Sequence, residues 1–345
     1  MLLGAIPLRF HEHFVNPPLP ENSSSTIPVN LDWRAEPFGR SPNFPVPPGP
    51  SRRTLVLAVV LFFLTLCTCL AAGTQFANAY SRNQAASFEE FVRTYKFFYQ
   101  HPAGLLAGLP FALTLLTIFL AHELGHFFAC RHHHIRASYP YFIPFPSLIG
   151  TFGAFILIRS SIRTNRALFD VGASGPLVGF VFAVPALLYG ILHAKFVPGL
   201  ADLGHADVAF GMPLLLRFLN AVMHPGVDAS SLLLPPIGRA AWIGLFVTAM
   251  NLLPVGQLDG GHVLRSVSPR LHRSTSLLVP FALIALGLLH FWQSWYIWGA
   301  MLLGMRLLRV PPIYDAQPLD PIRRLGAFLT LVVFLLCFML APILT

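Results

Sequence analysis

The chain has 345 residues, of which 55% are hydrophobic and 11% charged, and its mean hydropathy is +0.64. An ordinary soluble domain carries about 25% charged residues, so the composition excludes a soluble globular enzyme and describes a multi-pass integral membrane protein. The net charge of +9 comes from 23 Lys and Arg, but they sit in short clusters between apolar runs, a pattern of membrane topology rather than of a nucleic-acid partner.

In chain order, residues 1–53 form a Pro-rich stretch that reads as a disordered cytoplasmic tail, without the apolar core of a signal peptide; His11 and His13 within it read as surface residues. Residues 54–102 hold the first transmembrane helix, the uncharged run Leu55 to Ala72, long enough for a ~30 Å core, and a polar connection with Tyr95, Phe97, Phe98 and Tyr99 near its end. Residues 103–273 form the functional core. Its first span, Leu105 to Cys130, carries His122, Glu123, Leu124, Gly125 and His126. Helical residues four apart share a face, so His122 and His126 can grip one metal ion from the same side. Glu123 lies about 100° round, placed to take a proton from water at that ion rather than to ligate it. An ionisable triplet inside an apolar span costs several kcal/mol and marks a functional site.

The loop Arg131 to Arg166 contains Pro140, Pro144 and Pro146, then TFGAFILIRS from Thr151 to Ser160. Its β-formers predict a short hairpin or edge strand. An open strand edge cannot face lipid, so it lines an enclosed wet cavity, either to pair with an extended substrate segment or as a structural lid. His132, His133 and His134 read as solvated interfacial residues. The next span, Ala167 to His193, carries Asp170 and the series Gly172, Ala173, Ser174, Gly175, Pro176 and Gly179, small residues that suit close packing against the histidine helix. Phe210 to Met223 is too short to cross and reads as interfacial or re-entrant, with His205 and His224 at the surface.

The fourth span begins near Ile237 and ends in NLLPVGQLDGG, Asn251 to Gly261. Pro254 breaks the helix and the glycines allow a tight turn that returns a carboxylate to the interior. Two histidines leave a zinc ion under-coordinated, so Asp259 is the expected third ligand, with the fourth position open to water. Asp170 is the rival, although Arg163 and Arg166 suit it for a salt bridge. No Glu follows Glu123, which removes the Glu-ligated arrangement of a protease acting on soluble or prenylated substrates. A metal transporter is the reading from another class, but it favours repeated halves and no internal repeat is found.

Residues 274–345 hold C-terminal transmembrane helices at Thr275 to Phe291, Trp295 to Leu308 and Arg324 to Leu344, with Trp292, Trp295, Tyr296 and Trp298 marking an interface. The expected fold is an all-α polytopic membrane protein of about seven transmembrane helices with a small β-hairpin or edge strand near the active site. The Arg excess places the N-terminus in the cytoplasm, the active site nearer that face and the C-terminus outside, in a cell's inner (plasma) membrane. The four cysteines, Cys67, Cys69, Cys130 and Cys337, all lie in apolar runs and read as small buried groups.

HELGH in one apolar span and NLLPVGQLDGG in a later one, with FGAF at Phe152 to Phe155 and GASGP at Gly172 to Pro176, resemble the site-2 protease family of intramembrane zinc metalloproteases, peptidase family M50. The resemblance covers Ala103 to Arg273. It implies one Zn²⁺ ion held by His122, His126 and Asp259, Glu123 as general base for the attacking water, and Asn251 as a contact to substrate or oxyanion. The plain alternative for Asn251, read from the residues alone, is an interhelical hydrogen bond. The implied reaction is hydrolysis of a peptide bond within or next to a transmembrane segment of a membrane protein already shortened by an earlier protease. The family often has a second proline two residues after the first, where this chain has Gly256. Many bacterial members insert a PDZ domain between spans, and no stretch here is long and polar enough to hold one.

Overall fold

A computed structural model describes residues 51–84, 102–197, 209–228, 231–306 and 317–344. The expected disordered tail with His11 and His13, the aromatic-rich connection and His205 lie outside the described residues.

Helix α1, Arg52–Ser81, starts at Ser51, whose hydroxyl accepts from the Thr54 N–H. It outruns the apolar stretch Leu55 to Ala72 because no Pro or charge interrupts it before Ser81. A 3₁₀ turn, Pro102–Gly108, feeds α2, Leu109–His132, which ends where His134 takes a positive φ of 54°. Strands β1, Tyr141–Pro144, and β2, Thr151–Phe155, form the expected hairpin, with Tyr141 opposite Phe155, Phe142 opposite Ala154 and Ile143 opposite Gly153.

Helix α3, Asn165–Leu192, is capped by Thr164 and runs through both Pro176 and Pro185. Short strands β3, Lys195–Phe196, and β4, Ala209–Phe210, precede α4, Leu214–Met223. Leu215, Leu216 and Asn220 of α4 face inward while Leu214, Phe218 and Val222 are exposed, the apolar outer stripe expected of an interfacial helix. Strand β5, Leu232–Leu233, pairs with β3 and leads into α5, Pro236–Asn251. Helices α6, Asp259–Val267, α7, Pro269–Leu288, α8, Trp295–Arg306, and α9, Pro321–Cys337, follow, and β6, Ile343–Leu344, pairs with β4.

Four helices among the described residues are long and apolar enough to cross a membrane: α1, the combined Ala103–His132, α3 and α7. The expected seven are not met by length, since α5, α8 and α9 have 16, 12 and 17 residues, or ~24, ~18 and ~25 Å against a ~30 Å core. The run Arg324 to Leu344 is two elements rather than one span, because Phe338 turns to extended backbone (ψ 139°) after Cys337.

α3 is the centre of the assembly, packed on α2, α5, α6 and α9. Small residues permit this. A Cβ on Gly190 would stand 2.4 Å from the Gly238 Cα, and one on Gly125 would stand 2.6 Å from the Ser174 carbonyl oxygen, so α3 meets α5 and α2 nearly backbone to backbone. Trp295 is fully buried within the protein and donates its indole N–H to the Leu340 carbonyl at 2.7 Å. Of the cysteines, Cys69, Cys130 and Cys337 are buried and Cys67 is exposed.

Candidate metal centre

His122 and His126 sit one turn apart on the face of α2 that meets α3, and both are buried with Glu123 between them. The His126 Nδ1 lies 2.6 Å from the Val171 carbonyl of α3. A carbonyl only accepts, so Nδ1 carries the hydrogen and Nε2 keeps its lone pair for a ligand. The two Nε2 atoms are 3.0 Å apart, and the Asp259 Oδ2 lies 3.2 Å from one and 3.3 Å from the other. Around a tetrahedral ion with ~2.0–2.1 Å bonds, neighbouring ligand atoms stand about 3.3 Å apart. The three donors therefore match the spacing of a single metal ion. The Asp259 Oδ1 is buried with no hydrogen-bond partner, as a carboxylate aimed at a cation would be.

The carboxylate arrives by a route more regular than a free turn. Asp259 is the first residue of α6, with Leu258 in the N-cap position, where the helix N-terminus favours negative charge. The turn belongs to Gly256, which stands in place of the second proline and adopts φ 56°, a region glycine enters without steric cost. Gly260 and Gly261 serve close approach instead: a Cβ on Gly260 would be 2.0 Å from the Leu252 carbonyl oxygen, and one on Gly261 2.6 Å from those of Val255 and Gly256. The start of α7 holds the loop, the Thr275 hydroxyl donating to the Pro254 carbonyl at 2.7 Å and the Ser276 Oγ accepting the Gly256 N–H at 3.0 Å.

Asn251, the last residue of α5, points its Nδ2 to 3.3 Å from the His122 Nε2. A small cavity of about 10 Å³ is lined by His122, Glu123, His126, Asn251 and Asp259 together with Ala154 and Phe155 of β2. All five expected site residues thus meet in one place, and the hairpin borders it.

Three expectations about neighbouring residues change. Asp170 does form a salt bridge, but with Arg323 of α9 rather than Arg163 or Arg166; the guanidinium Nε and Nη2 reach Oδ1 and Oδ2 at 2.8 and 2.6 Å. His133, expected to be solvated, has its Nε2 2.7 Å from the Asp170 Oδ2. His224 is half-buried with its ring edge-on to Phe196 at 4.9 Å. The sequence reading also missed the role of Gly175, where a Cβ would stand 2.1 Å from the His126 Nε2. The small-residue series pointed to helix packing, and Gly175 additionally leaves room for the imidazole.

Buried donors at metal-ion spacing within a bundle of apolar helices define an integral membrane protein with a candidate metal centre. A family model described as Peptidase family M50 matches residues 110–289, and the chain belongs to that family. It is 30% identical over 312 residues to a protein of Oryza sativa subsp. japonica described as "Probable zinc metalloprotease EGY1, chloroplastic", covering 86% of this chain and 52% of that one. It is 29% identical to two Arabidopsis thaliana proteins described as "Probable zinc metalloprotease EGY1, chloroplastic" and "Probable zinc metalloprotease EGY2, chloroplastic", covering 63% and 67% of this chain and 41% of each relative. The chain spans about half the length, or less, of these relatives. Their chloroplast location lends no support to the expected plasma-membrane setting. No solved structure matches the chain.

Proposed function

We propose that the chain is an intramembrane zinc metalloendopeptidase that hydrolyses a peptide bond within or next to a transmembrane segment of another membrane protein. The observation that carries this is the meeting of His122 Nε2, His126 Nε2 and Asp259 Oδ2 at 3.0–3.3 Å in the cavity that Glu123 also lines. These donors, with the His126 tautomer set by Val171, fit one zinc ion, and relatives described as zinc metalloproteases favour the same metal. When bound, zinc supplies Lewis acidity and brings the pKa of water towards ~7.

The chain's own residues do the rest. Glu123 cannot join the ligands on its helix face and is free to take the proton of the attacking water and pass it to the leaving amine. In this reading the Asn251 Nδ2, 3.3 Å from the His122 Nε2, donates to the oxygen of the attacked carbonyl, where a preorganised donor counts most in the transition state. A helical substrate hides its carbonyls in its own hydrogen bonds, so the cut segment must be extended. The β2 strand offers an edge for such a segment, with Ala154 and Phe155 beside the ligands. The Arg-rich ends of the spans favour an orientation in which the N-terminus and the C-terminal end of α2, and with it the site, face the side of the bilayer where the chain's positive charge is concentrated.

The test uses purified full chain and its Glu123→Gln variant, with zinc measured by mass spectrometry and cleavage measured on a panel of single-span substrates in vesicles. One zinc per chain in both proteins and cleavage by the wild type alone is the expected result. Equal cleavage by both excludes Glu123 as the base, and a wild type that binds no zinc removes the proposal.

A further inference from the structure

The tip of the β1–β2 hairpin rests against the middle of α1, at Thr68 and Cys69. Thr68 lies ~24 Å along α1 from Arg52 at ~1.5 Å per residue, deep in an apolar span. Non-helical backbone at that depth is tolerated only where protein satisfies its polar groups. Here α1 supplies the partners. The Thr68 hydroxyl donates to the Gly150 carbonyl at 2.5 Å, and the Cys69 Sγ faces the Ile149 carbonyl at 3.8 Å. The hydroxyl's other acceptors, the Thr65 and Leu64 carbonyls of its own helix, are farther, at 3.0 and 3.3 Å. Gly150 adopts φ 84° and lies so close to α1 that a Cβ would stand 2.6 Å from the Cys69 Cα. The Phe62 and Phe142 rings, 5.3 Å apart, pack the same interface.

Strand β2 starts at the next residue, Thr151, whose hydroxyl bonds the Ile143 carbonyl at 2.7 Å, and within five residues it reaches Ala154 and Phe155 at the ligand cavity. A shift of the tip is therefore a shift of the strand against His122 and His126. We propose that Thr68 is a positioning residue: its hydroxyl pins the hairpin tip at depth through Gly150 and so sets where β2 stands beside the metal ligands. Thr68 precedes residues 110–289, which the family model matches. The consequence for cleavage rests on the proteolytic reading, whereas the anchor itself does not.

The experiment compares the zinc-loaded full chain with Thr68→Val, which keeps the side-chain shape, and Thr68→Ser, which keeps the hydroxyl. Amide exchange of residues 147–155 is read by mass spectrometry, along with zinc content and kcat and KM on a single-span probe substrate in vesicles. In Thr68→Val we expect exchange at the tip and β2 to rise about fivefold, the effect of one lost hydrogen bond, and kcat to fall on the order of tenfold from misplacement. KM and zinc content stay near wild type, and Thr68→Ser returns both exchange and kcat to near wild type. Unchanged exchange in Thr68→Val overturns the anchor, and raised exchange with unchanged kcat overturns the positioning role. Failure of Thr68→Ser to rescue overturns the assignment to the hydroxyl. Exchange and zinc content are read on the intact chain, so a wild type that cuts no probe sinks the proteolytic reading while exchange still decides the anchor.

Discussion

Gly175→Ala is the sharpest perturbation of the metal centre, because it adds one methyl group at the point where α3 makes room for a ligand. The new Cβ would stand 2.1 Å from the His126 Nε2, 2.4 Å from its Cε1 and 2.5 Å from its Cδ2. Ordinary contacts begin at ~3.5 Å, so ring and helix must separate by about 1.4 Å. The imidazole has little freedom to move, being tied to the Val171 carbonyl at 2.6 Å and 1% exposed. The helices are already nearly in backbone contact at Gly125 and Ser174. Metal ligation tolerates displacements of only about 0.2 Å, so the required shift is several times too large. Overpacking should cost ~1–3 kcal/mol of stability. The larger effect should be on zinc, whose affinity we expect to fall at least 100-fold, about 2.8 kcal/mol. The assay is chelator competition on the purified protein, with helicity monitored in parallel. Gly304→Ala in α8 is the control, since a Cβ there meets nothing within 4 Å. Wild-type zinc affinity in a folded Gly175→Ala protein would show that His126 does not hold the metal where its ring now stands, and the ligand geometry would have to be abandoned.

The remaining predictions probe the other parts of the site. Arg323→Met should cost about 2 kcal/mol, less than the 3–5 kcal/mol of a fully buried broken pair because the Arg323 and Asp170 side chains are 24% and 22% exposed. Adding Asp170→Asn should recover more than half of it, and simple additivity in that double-mutant cycle would refute the pairing. Phe155→Pro removes an amide from β2 and should lower cleavage of a single-span substrate at least tenfold, about 1.4 kcal/mol, with zinc content unchanged; undiminished cleavage rules out substrate pairing along that edge. Chelating zinc should lower the melting temperature of the wild type but not of Asp259→Ala, since a ligand stabilises only the form that binds it. Equal shifts in both would mean that Asp259 is not a ligand.

What the sequence could show about this site depended on how local each feature was. The His122–His126 pair was legible because a helix brings residues four apart together whatever the rest of the chain does. Asp259 was legible by a chemical argument, the absence of any later Glu together with a Pro–Gly interruption inside an apolar run. The partner of Asp170 was not legible: Arg163 and Arg166 were near in sequence, yet the guanidinium came from Arg323, 153 residues away, and its choice depends on how α9 crosses α3. The lengths of the later helices were not legible either, since hydropathy records composition while Phe338 ends α9 through its backbone conformation. Gly175 joins these cases physically. A ligand side chain announces itself by its chemistry, whereas the space it needs is recorded only as a missing side chain on another helix. A packing glycine and one that makes room for an imidazole are the same letter, and only the 2.1 Å approach to His126 separates them.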